Sequence, residues 1–530
     1  MLWLIGLVSF PACNDPAPSA PDVLLISLDS VRSDFLTFID ADTAPNLTRI
    51  ASRGTIFNQA ISGTSWTLPS HLQMFTGMPP VLHGVQESDQ RLDPRITTLP
   101  RYLKQAGYNT AGFYTCWYLA AEYGFGDGFD LYQNSMRGGV NLEETLKQAL
   151  QGDGSLASRR KSFKRSLPTD KYINSPDVVR NAKQALEQMG SADPVFLFAH
   201  LFDPHFDYIP PAPFDTAFDP EYAGDINGKD YWKNKRIYDP AKSPARQVSE
   251  RDLDHVRALY RGEIAWTDAA IGKLLDELEA RGRLDNTLII VTADHGEEFF
   301  EHDERGHRHT LYDEVLRVPL LVVPPRGMST APNSCEEQVS LSDILPTILD
   351  YAKVDAGTEI YGRSLRPAVE NQPLESRAVV ASLALPMNDP VAGQGRGLLE
   401  SLRTPTHKLT RYWVQAEEQA EPRLLRLEYF DLVTDPKEMS PIRTLDNRRV
   451  RKAWRQLEEE MDQVRTAWSS RQRTPVQDLF TDVESLVGDD LTDLGYAAGA
   501  EPSATESRVD RLGMAPLASS RLSAVKQPGK

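Results

Sequence analysis

Two acidic positions in this sequence each follow an apolar run that is typical of a buried strand. Asp29 ends the run "DVLLISLD" at 22–29, and Asp294 precedes His295 at the end of "NTLIIVTADH" at 286–295. A carboxylate at the end of a buried strand is costly unless a cation meets it. Carboxylates and an imidazole together are ligands suited to a divalent metal. A helix cap explains each aspartate alone, but their coincidence favours a metal site at Asp29, Asp294 and His295.

The segment "SGTSWTLPSH" at 62–71 places a threonine close to a helix start. Pro69 fits the first turn of a helix, so we expect Thr67 at or just before the helix N-terminus. Free backbone N–H groups and the helix dipole favour an anion there. A metal beside Thr67 would stabilise the alkoxide, which makes Thr67 a candidate nucleophile and a candidate metal ligand. Taken alone, the hydroxyl is also explained as an N-cap.

Six of the ten histidines fall in two short windows, "AHLFDPH" and "ADHGEEFFEHDERGHRH". Side chains in these windows could contact phosphoryl or sulfuryl oxygens, protonate a leaving group or hold a second metal. The residues predicted to be catalytic are His200 and His307. Those predicted to bind substrate are His205 and His309, and Asp203 is a candidate ligand of a second metal. His302 is assigned no role, and a surface position in a polar loop is the alternative for each of the others.

Continuous apolar runs predict buried strands at 22–29, 194–203, 286–295 and 318–323. Helical patterns lie between them, most clearly at 250–284, where apolar residues recur every three or four positions. Strands that alternate with helices predict a largely parallel sheet with helices on both faces. Ligands of such sheets bind beyond the carboxyl ends of the strands, where three of these runs end in candidate ligands.

Composition changes along the chain predict its organisation. The predicted units are a signal-like or lipoprotein-like segment with a linker at 1–20, a main domain at 21–375, a small C-terminal subdomain of antiparallel strands and a helix at 376–470, and a poorly ordered tail at 471–530. Polar stretches at 134–180 and 206–248 are predicted to be insertions or loops. The second follows a candidate site strand directly, so it is either a rim or lid over the pocket or a plain surface excursion.

The totals exclude some partners. The chain has 530 residues, of which 40% are hydrophobic and 25% charged, so it can bury a large core. Its net charge of −17 argues against nucleic acid as a partner, since phosphate contacts need a basic surface. A small anionic ester held by a local cation remains compatible. Three cysteines cannot form a disulfide framework, and a Cys116–Cys335 pair stays open.

The chain starts with "MLWLIGLVSFPAC", an apolar run that ends at Cys13. A bilayer span needs about 20 apolar residues, so this run is too short to cross a membrane. It suits a secretory signal with Cys13 as a candidate lipidated residue, the only membrane contact that we expect. We therefore predict export to the bacterial periplasm or cell envelope. A wrongly assigned start or an unremarkable apolar N-terminus is the alternative.

Residues 20–470 resemble the sulfatase family of the alkaline phosphatase superfamily. The similarity rests on "PDVLLISLDSVRSDFLTFIDADTAPNLTRIASRGTIFNQAISGTSWTLPSHLQMFTGMPPVLHGV", "TLPRYLKQAGYNTAGF", "NTLIIVTADHGEEFFEH", "GHRHTLYDEVLRVPLLV" and "EYFDLVTDPKE", in matching order. It implies an α/β fold, an alkaline-phosphatase-like three-layer sandwich with a mixed, mostly parallel central sheet and a small C-terminal antiparallel sheet and helix. By position, Asp29, Asp294 and His295 resemble the family's metal ligands, and Thr67 occupies the place of its nucleophile. One or two ions of Zn²⁺, Mn²⁺, Mg²⁺ or Ca²⁺ are expected.

The chain departs from the family at several of these positions. Sulfatases carry Cys or Ser where Thr67 stands and oxidise it to formylglycine, an aldehyde that threonine cannot form because its Cβ bears a methyl group. The motif's arginine is His71, a predicted substrate-binding residue, and the aspartate expected after Asp29 is Ser30. Where the family has a later lysine, this chain has Arg308.

These departures favour a metal-dependent phosphodiesterase or phospho-group transferase over an arylsulfatase. In that scheme Thr67 attacks phosphorus in line. One alternative is a sulfatase without formylglycine. Another is a non-catalytic envelope protein that binds an anionic glycan or a lipid head group.

Overall fold

The computed structural model describes residues 20–135, 175–190 and 193–469, apart from short gaps at 230, 232–233, 240–241, 243, 329–332, 358–359, 386–394 and 417–420. Several predictions lie outside the described residues. They concern the signal-like segment with Cys13, most of the 134–180 insertion and the 471–530 tail.

An eight-stranded mixed sheet forms the centre of the molecule. Its strands follow one another in space in the order β12 (Asn333–Cys335), β2 (Thr55–Phe57), β11 (Leu320–Val323), β7 (Thr287–Ala293), β1 (Asp22–Leu28), β6 (Val195–Leu201), β4 (Asn109–Tyr114) and β5 (Leu131–Asn134). The five strands from β7 to β5 are parallel, and β11 runs antiparallel to both β7 and β2. The sheet is therefore mixed and mostly parallel, as the resemblance implies.

Helices flank this sheet in two groups. The first comprises α1 (Pro45–Ala51), α5 (Ser175–Gln188) and the long α6 (Glu250–Ala280). The second comprises α2 (Thr67–Thr76), α3 (Pro80–His83), α4 (Leu99–Gln105) and α8 (Ile344–Ala352). Shorter helices are α7 (Asp313–Leu316) and α9 (Arg366–Val369), with 3₁₀ turns at Trp117–Leu119, Ala121–Tyr123, Leu284–Asn286 and Leu341–Asp343.

Helix α6 shows how the local sequence sets an element. Ser249 accepts a hydrogen bond from the Asp252 N–H, and the Asp252 side chain accepts one from the Ser249 N–H, so a capping box starts the helix. The apolar stripe that the sequence predicts is buried: Leu253, Val256, Tyr260, Ile264, Ile271, Leu274 and Leu278. None of the described helices is both long and apolar enough to cross a membrane.

Small strands complete the main domain. Strands β3 (Ala60–Ile61), β10 (Arg317–Val318) and β13 (Val339–Ser340) form one small sheet, and β8 (Glu298–Phe299) pairs with β9 (Arg305–Gly306). Both described cysteines, Cys116 and Cys335, are buried and free, so they do not form a disulfide.

The C-terminal part of the chain adds a four-stranded antiparallel sheet, as predicted. Its strands are β14 (Val379–Leu385), β15 (Arg396–Arg403), β16 (His407–Gln415) and β17 (Arg423–Asp431), and the helix α10 (Arg448–Ser469) follows. One face of this sheet packs against α10 through residues such as Leu402 and Leu409. The other face joins the core of the main domain through residues such as Leu399 and Tyr412.

Candidate active site

The register of three neighbouring strands brings the candidate metal ligands together. Leu28 of β1 lies opposite Ala293 of β7 and Leu201 of β6, so all three strands end at the same edge of the sheet. Asp29 and Asp294 are the next residues on their strands, and both are fully buried. One ligand atom from each of Asp29, Asp294 and His295 lies within 4.8 Å of the others.

The surroundings of these carboxylates fit a divalent cation. Asp294 Oδ1 accepts hydrogen bonds from the backbone N–H groups of Ser30 and His295, at 3.1 and 2.8 Å. Asp294 Oδ2 is buried and accepts no hydrogen bond from any described residue. Burial, and then the neighbouring Asp29, raise the pKa of Asp294. Among the described residues no lysine or arginine forms an ion pair with either carboxylate, so a bound cation would supply the missing charge.

Thr67 is the first residue of α2, and its hydroxyl points to this cluster. Trp66 is the N-cap, with extended backbone, and no side chain makes a capping hydrogen bond there. Thr67 Oγ1 lies 3.5 Å from His295 Nε2, which is itself 3.4 Å from Asp294 Oδ2 and 3.9 Å from Asp29 Oδ1. A hydrogen bond also holds the first turn of α2 against the end of β7, because the Ser70 hydroxyl donates to the Asp294 carbonyl at 2.6 Å.

The tautomer of His295 follows from its neighbour. Its Nδ1 lies 2.9 Å from the carbonyl of Gly296, and a carbonyl only accepts, so Nδ1 carries the proton. In the neutral ring, Nε2 then carries the lone pair, and it faces the carboxylates and Thr67 Oγ1. This is the form of histidine that coordinates a metal.

His71 and His200 lie beneath the cluster and are neutral. His71 Nδ1 donates to the Thr67 carbonyl at 2.8 Å, and His71 Nε2 accepts from the Ser27 hydroxyl at 2.8 Å. Burial lowers the pKa of His71 to about 3 and that of His200 to about 4. His200 Nε2 donates to Asp29 Oδ2 at 3.1 Å, whereas its Nδ1 is buried and has no hydrogen-bond partner among the described residues.

His307 lies on the other side of His295, with ring centres 4.3 Å apart. A hydrogen bond of 3.2 Å joins His307 Nδ1 to Glu297 Oε1, and the Tyr208 hydroxyl donates to Glu297 Oε2 at 3.1 Å. Burial lowers the pKa of His307 and raises that of Glu297, each well away from its ordinary value. The His205 ring centre lies 4.9 Å from that of His307.

Part of the 206–248 segment borders this site. Phe206 packs beside His307, with ring centres 5.5 Å apart, and Tyr208 contacts Glu297 as described above. His309 is buried close by in the sequence, and Arg308 between the two histidines places its guanidinium 4.0 Å from the centre of the Trp66 ring. The backbone N–H of Arg308 donates to the Ser65 carbonyl at 3.0 Å, so the histidine-rich segment lies beside the Thr67 segment.

Asp203 is placed differently from the other predicted ligands. It is buried, and its Oδ2 accepts the backbone N–H of Ser175, the first residue of α5, at 2.9 Å. It does not belong to the ligand cluster that the described residues form.

Three site residues were not found from the sequence. Ser70 belongs to the segment "SGTSWTLPSH", and Glu297 lies two residues after His295. The acid next to a candidate metal ligand could therefore have been predicted from the sequence. Cys116 gave no such signal. Its buried thiol lies beside the Thr67 side chain although the two residues are 49 positions apart in the sequence, and burial raises the pKa of the thiol well above the ordinary range.

Comparison with known proteins decides the family. The family model "Sulfatase" matches residues 21–354, well over half of the chain. The chain belongs to the sulfatase family. The model "N-sulphoglucosamine sulphohydrolase, C-terminal" matches residues 301–467 of this sulfatase-family hydrolase. Enzymes of the family use a divalent metal, in agreement with the cluster at Asp29, Asp294 and His295.

The chain is similar to one curated sulfatase and to solved structures whose names refer to different substrates. Arylsulfatase K of Rattus norvegicus is 25% identical over 478 residues, covering 84% of this chain and 80% of its own. A solved complex with the substrate D-glucosamine-2-N,6-O-disulfate has a TM-score of 0.63, 20% identity and coverage of 86% and 99%. The phosphonate monoester hydrolase of Silicibacter pomeroyi has a TM-score of 0.61, 21% identity and coverage of 84% and 95%. The two structures establish the shared fold.

Proposed function

We propose that this sulfatase-family chain is a metal-dependent hydrolase that cleaves phosphate diesters in preference to sulfate esters, with Thr67 as the nucleophile. One observation carries the proposal. The Thr67 hydroxyl is 3.5 Å from His295 Nε2, one of the three candidate metal ligands. Trp66 is the N-cap and Thr67 is the first helical residue, so N-capping does not account for the Thr67 hydroxyl.

The side chain at position 67 argues against the usual sulfatase chemistry. Oxidation of cysteine or serine to formylglycine leaves an aldehyde on Cβ, and the methyl group of threonine prevents this. The nucleophile would therefore be the hydroxyl oxygen itself, which forms a covalent ester with the substrate and is then released by water. Direct attack by a hydroxyl in line with the leaving group is well suited to phosphorus.

The reaction needs an activated hydroxyl and a proton donor for the leaving oxygen. A divalent ion held by Asp29, Asp294 and His295 would favour the alkoxide of Thr67 and attract the non-bridging oxygens of the substrate. As the Thr67 Oγ–phosphorus bond forms, the Thr67 hydroxyl gives its proton to a neutral histidine, the bond to the leaving oxygen breaks, and that oxygen takes the proton from the histidine. His200 and His307 are the proposed proton carriers, with Glu297 fixing the orientation of the His307 ring.

The charges at the site favour a substrate with one negative charge. Burial keeps His71, His200 and His307 neutral, so their rings add little positive charge. Residues 113–117 contain no lysine, and Arg308 supplies a fixed cation beside Trp66. A phosphodiester or a sulfate monoester carries one charge, whereas a phosphate monoester carries about two at neutral pH.

Sulfate-ester hydrolysis with the same residues is the second candidate, because arylsulfatase K is among the relatives. Metal analysis followed by turnover of an aryl phosphodiester, an aryl phosphomonoester and an aryl sulfate separates the two. We expect a bound divalent ion and the highest kcat/KM on the phosphodiester. Cleavage of sulfate alone would overturn the phosphorus preference, and no metal with no turnover would favour the non-catalytic anion-binding alternative.

Substitution of the nucleophile completes the experiment. Thr67→Ala should lower kcat by about 10³-fold or more, since it removes the attacking atom. Thr64→Val is the matched control, because Thr64 lies in the same segment and its buried hydroxyl has no hydrogen-bond partner among the described residues. It should retain activity within about three-fold. Equal losses in both variants would contradict the role of Thr67.

A further inference from the structure

Four charged side chains meet at the boundary between the main domain and the C-terminal sheet. Asp313 accepts three hydrogen bonds from Arg403, at 2.9 Å to Oδ1 and at 3.1 and 2.7 Å to Oδ2, and one from Lys408 Nζ at 3.0 Å. Lys408 Nζ also lies 2.9 Å from Glu438 Oε1. The side chains of Lys408 and Glu438 are fully buried. We call Asp313, Arg403, Lys408 and Glu438 the buried quartet, and its formal charges sum to zero.

The quartet sits at one end of the segment that carries the site histidines. This segment, residues 302–312, is named here the histidine segment. Asp313 directly follows it, and its backbone N–H donates to Glu438 Oε2 at 2.6 Å. The residue before, Tyr312, donates its hydroxyl to Glu428 Oε2 of β17 at 3.0 Å. The C-terminal sheet and the turn after it thus hold both the backbone and the side chains at this end.

The other end of the histidine segment is held by the same group of residues. His302 Nε2 lies 3.3 Å from the Glu438 carbonyl, so the ring donates to it. The His302 ring also stacks on Tyr312, with ring centres 3.6 Å apart. Glu438 therefore contacts the segment at its first residue and at the residue after its last, and the ten residues between are closed into a loop.

The alternation of β16 explains why only some of its charges reach the histidine segment. Successive side chains of a strand point to opposite faces. Lys408 and Tyr412 share one face of the strand, where Lys408 meets Asp313 of the main domain and Tyr412 donates to Glu428 of β17 at 3.0 Å. Arg411 faces the other way, and it pairs with Glu400 at 2.6 Å and with Glu458 of α10.

Between its two fastened ends, the histidine segment enters the site. His307 lies beside His295 and Glu297, and the Arg308 N–H donates to the Ser65 carbonyl, two residues before Thr67. Arg308 has a φ of 68°, a conformation that a residue with a side chain adopts only when its surroundings enforce it. The segment is therefore held in one strained shape against the Thr67 segment.

We propose that the buried quartet is a positioning device that holds His307 against the Thr67 and metal-ligand cluster. Its effect on catalysis rests on the proposed function, whereas its effect on the segment's backbone does not. A buried ion cluster is suited to this role, because a displaced partner leaves an uncompensated charge in a dry environment. The C-terminal subdomain then contributes to activity through geometry, without placing a quartet residue on the substrate.

Asp313→Asn tests the positioning role. The change keeps the shape of the side chain and removes the charge that faces Arg403 and Lys408. Glu400→Gln is the matched control: it also turns a buried carboxylate of the C-terminal region into an amide and leaves a buried arginine short of a partner, but on the α10 face. The readouts are hydrogen–deuterium exchange of residues 302–312, kcat and KM on the aryl phosphodiester, and the melting temperature, all on the full chain.

We expect faster exchange of 302–312 in Asp313→Asn and a kcat lower by about ten-fold to a hundred-fold, with KM changed by less than about three-fold. Glu400→Gln should lower the melting temperature but leave both the exchange of 302–312 and kcat close to wild type. Equal exchange of 302–312 in the two variants would overturn the proposal. If Asp313→Asn does not fold, Glu438→Gln is tested by the same criteria, because it keeps the shape of the side chain and removes the charge that faces Lys408.

The failure of the two proposals can be told apart. If the wild-type protein cleaves none of the esters, the proposed function fails, and the exchange comparison still decides whether the quartet holds the segment. If the wild type is active and Asp313→Asn loses activity without any change in the exchange of 302–312, the positioning role is wrong while the proposed function stands.

Discussion

The two carboxylate oxygens of Asp294 lie in different surroundings, and this difference decides what the residue can do. Oδ1 accepts two backbone hydrogen bonds, which fix the orientation of the group. Oδ2 is buried next to Asp29 and His295 without a hydrogen bond from any described residue. An oxygen of this kind is costly in the folded state unless a cation takes it up. At the residue scale, a bound cation would therefore stabilise the folded site.

At this scale we predict that the order of stability of the wild type and Asp294→Asn depends on whether a metal is present. With a divalent metal in excess, the wild type should have the higher melting temperature, because binding to the folded state adds stability. With EDTA, Asp294→Asn should melt at or above the wild type, because it removes one of two adjacent buried carboxylates. Differential scanning calorimetry of both proteins in both conditions measures this. The metal site would be contradicted if EDTA did not change the melting temperature of the wild type, or if the variant were less stable in both conditions.

Helix α2 delivers Thr67, and the structure fixes this helix at both ends. Its N-terminal turn is fastened by the Ser70 hydroxyl on the Asp294 carbonyl, and by His71 Nε2 on the Ser27 hydroxyl of β1. Its C-terminus stops at Gly77, with a left-handed φ of 66°. Because both ends are fixed, the first residue of the helix cannot move away from the strand ends. At the element scale, the position of the nucleophile is set by helix anchoring.

Gly77→Ala tests this anchoring. A Cβ at Gly77 would lie 2.7 Å from Ile360 Cγ2, and φ is left-handed, so strain and a clash both destabilise the variant. Gly107→Ala is the matched control, since Gly107 has a φ of 89° and nothing within 4 Å of the added Cβ. The control should cost about 1 kcal/mol in urea unfolding, from the backbone alone. Gly77→Ala should cost more than that and should also lower kcat; an equal cost in both would show that Ile360 moves aside.

The whole molecule buries several neutral histidines, and His83 shows the consequence for stability away from the site. His83 Nε2 donates to the Pro69 carbonyl at 3.1 Å, and Nδ1 accepts the Val85 N–H at 3.2 Å, so the ring is neutral with both nitrogens in use. Burial lowers its pKa to about 3 from an ordinary value of 6.5. Below pH 6.5 His83 therefore binds a proton in the unfolded chain but stays neutral in the folded protein. The contribution of His83 to the free energy of unfolding is fully present above pH 6.5 and is lost as the pH drops towards 3.

This gives a prediction for the pH dependence of unfolding. At pH 5 the proton uptake of His83 alone should cost about 2 kcal/mol, from a gap of about 1.5 pH units below its unfolded pKa. His83→Gln removes this contribution, so the stability of the variant should fall less between pH 7 and pH 5. Urea unfolding at both pH values measures the difference. A parallel loss in the two proteins would show that His83 does not titrate on unfolding.

Local pattern was sufficient for β1, β6, β7 and β11, for α6 and for the C-terminal sheet. Continuous apolar runs and a helical stripe report burial directly, so these elements appear at the predicted places with ends shifted by a few residues. Local pattern also placed Thr67 at the start of a helix. It did not anticipate β11 as an antiparallel strand between β7 and β2, because the direction of a short strand depends on the path of the chain before it.

The sequence by itself determined which residues could carry chemistry: the acids at the ends of buried strands, Thr67, and the histidine-rich windows. Only the tertiary structure decided which of them meet. Strand register aligned Asp29 with Asp294, whereas α5 engaged Asp203 and the Ser27 hydroxyl engaged His71. It also brought in Glu297 and the buried quartet. The physical reason is that residue type and spacing encode local burial, while hydrogen-bond partners between distant segments are chosen by packing of the whole chain.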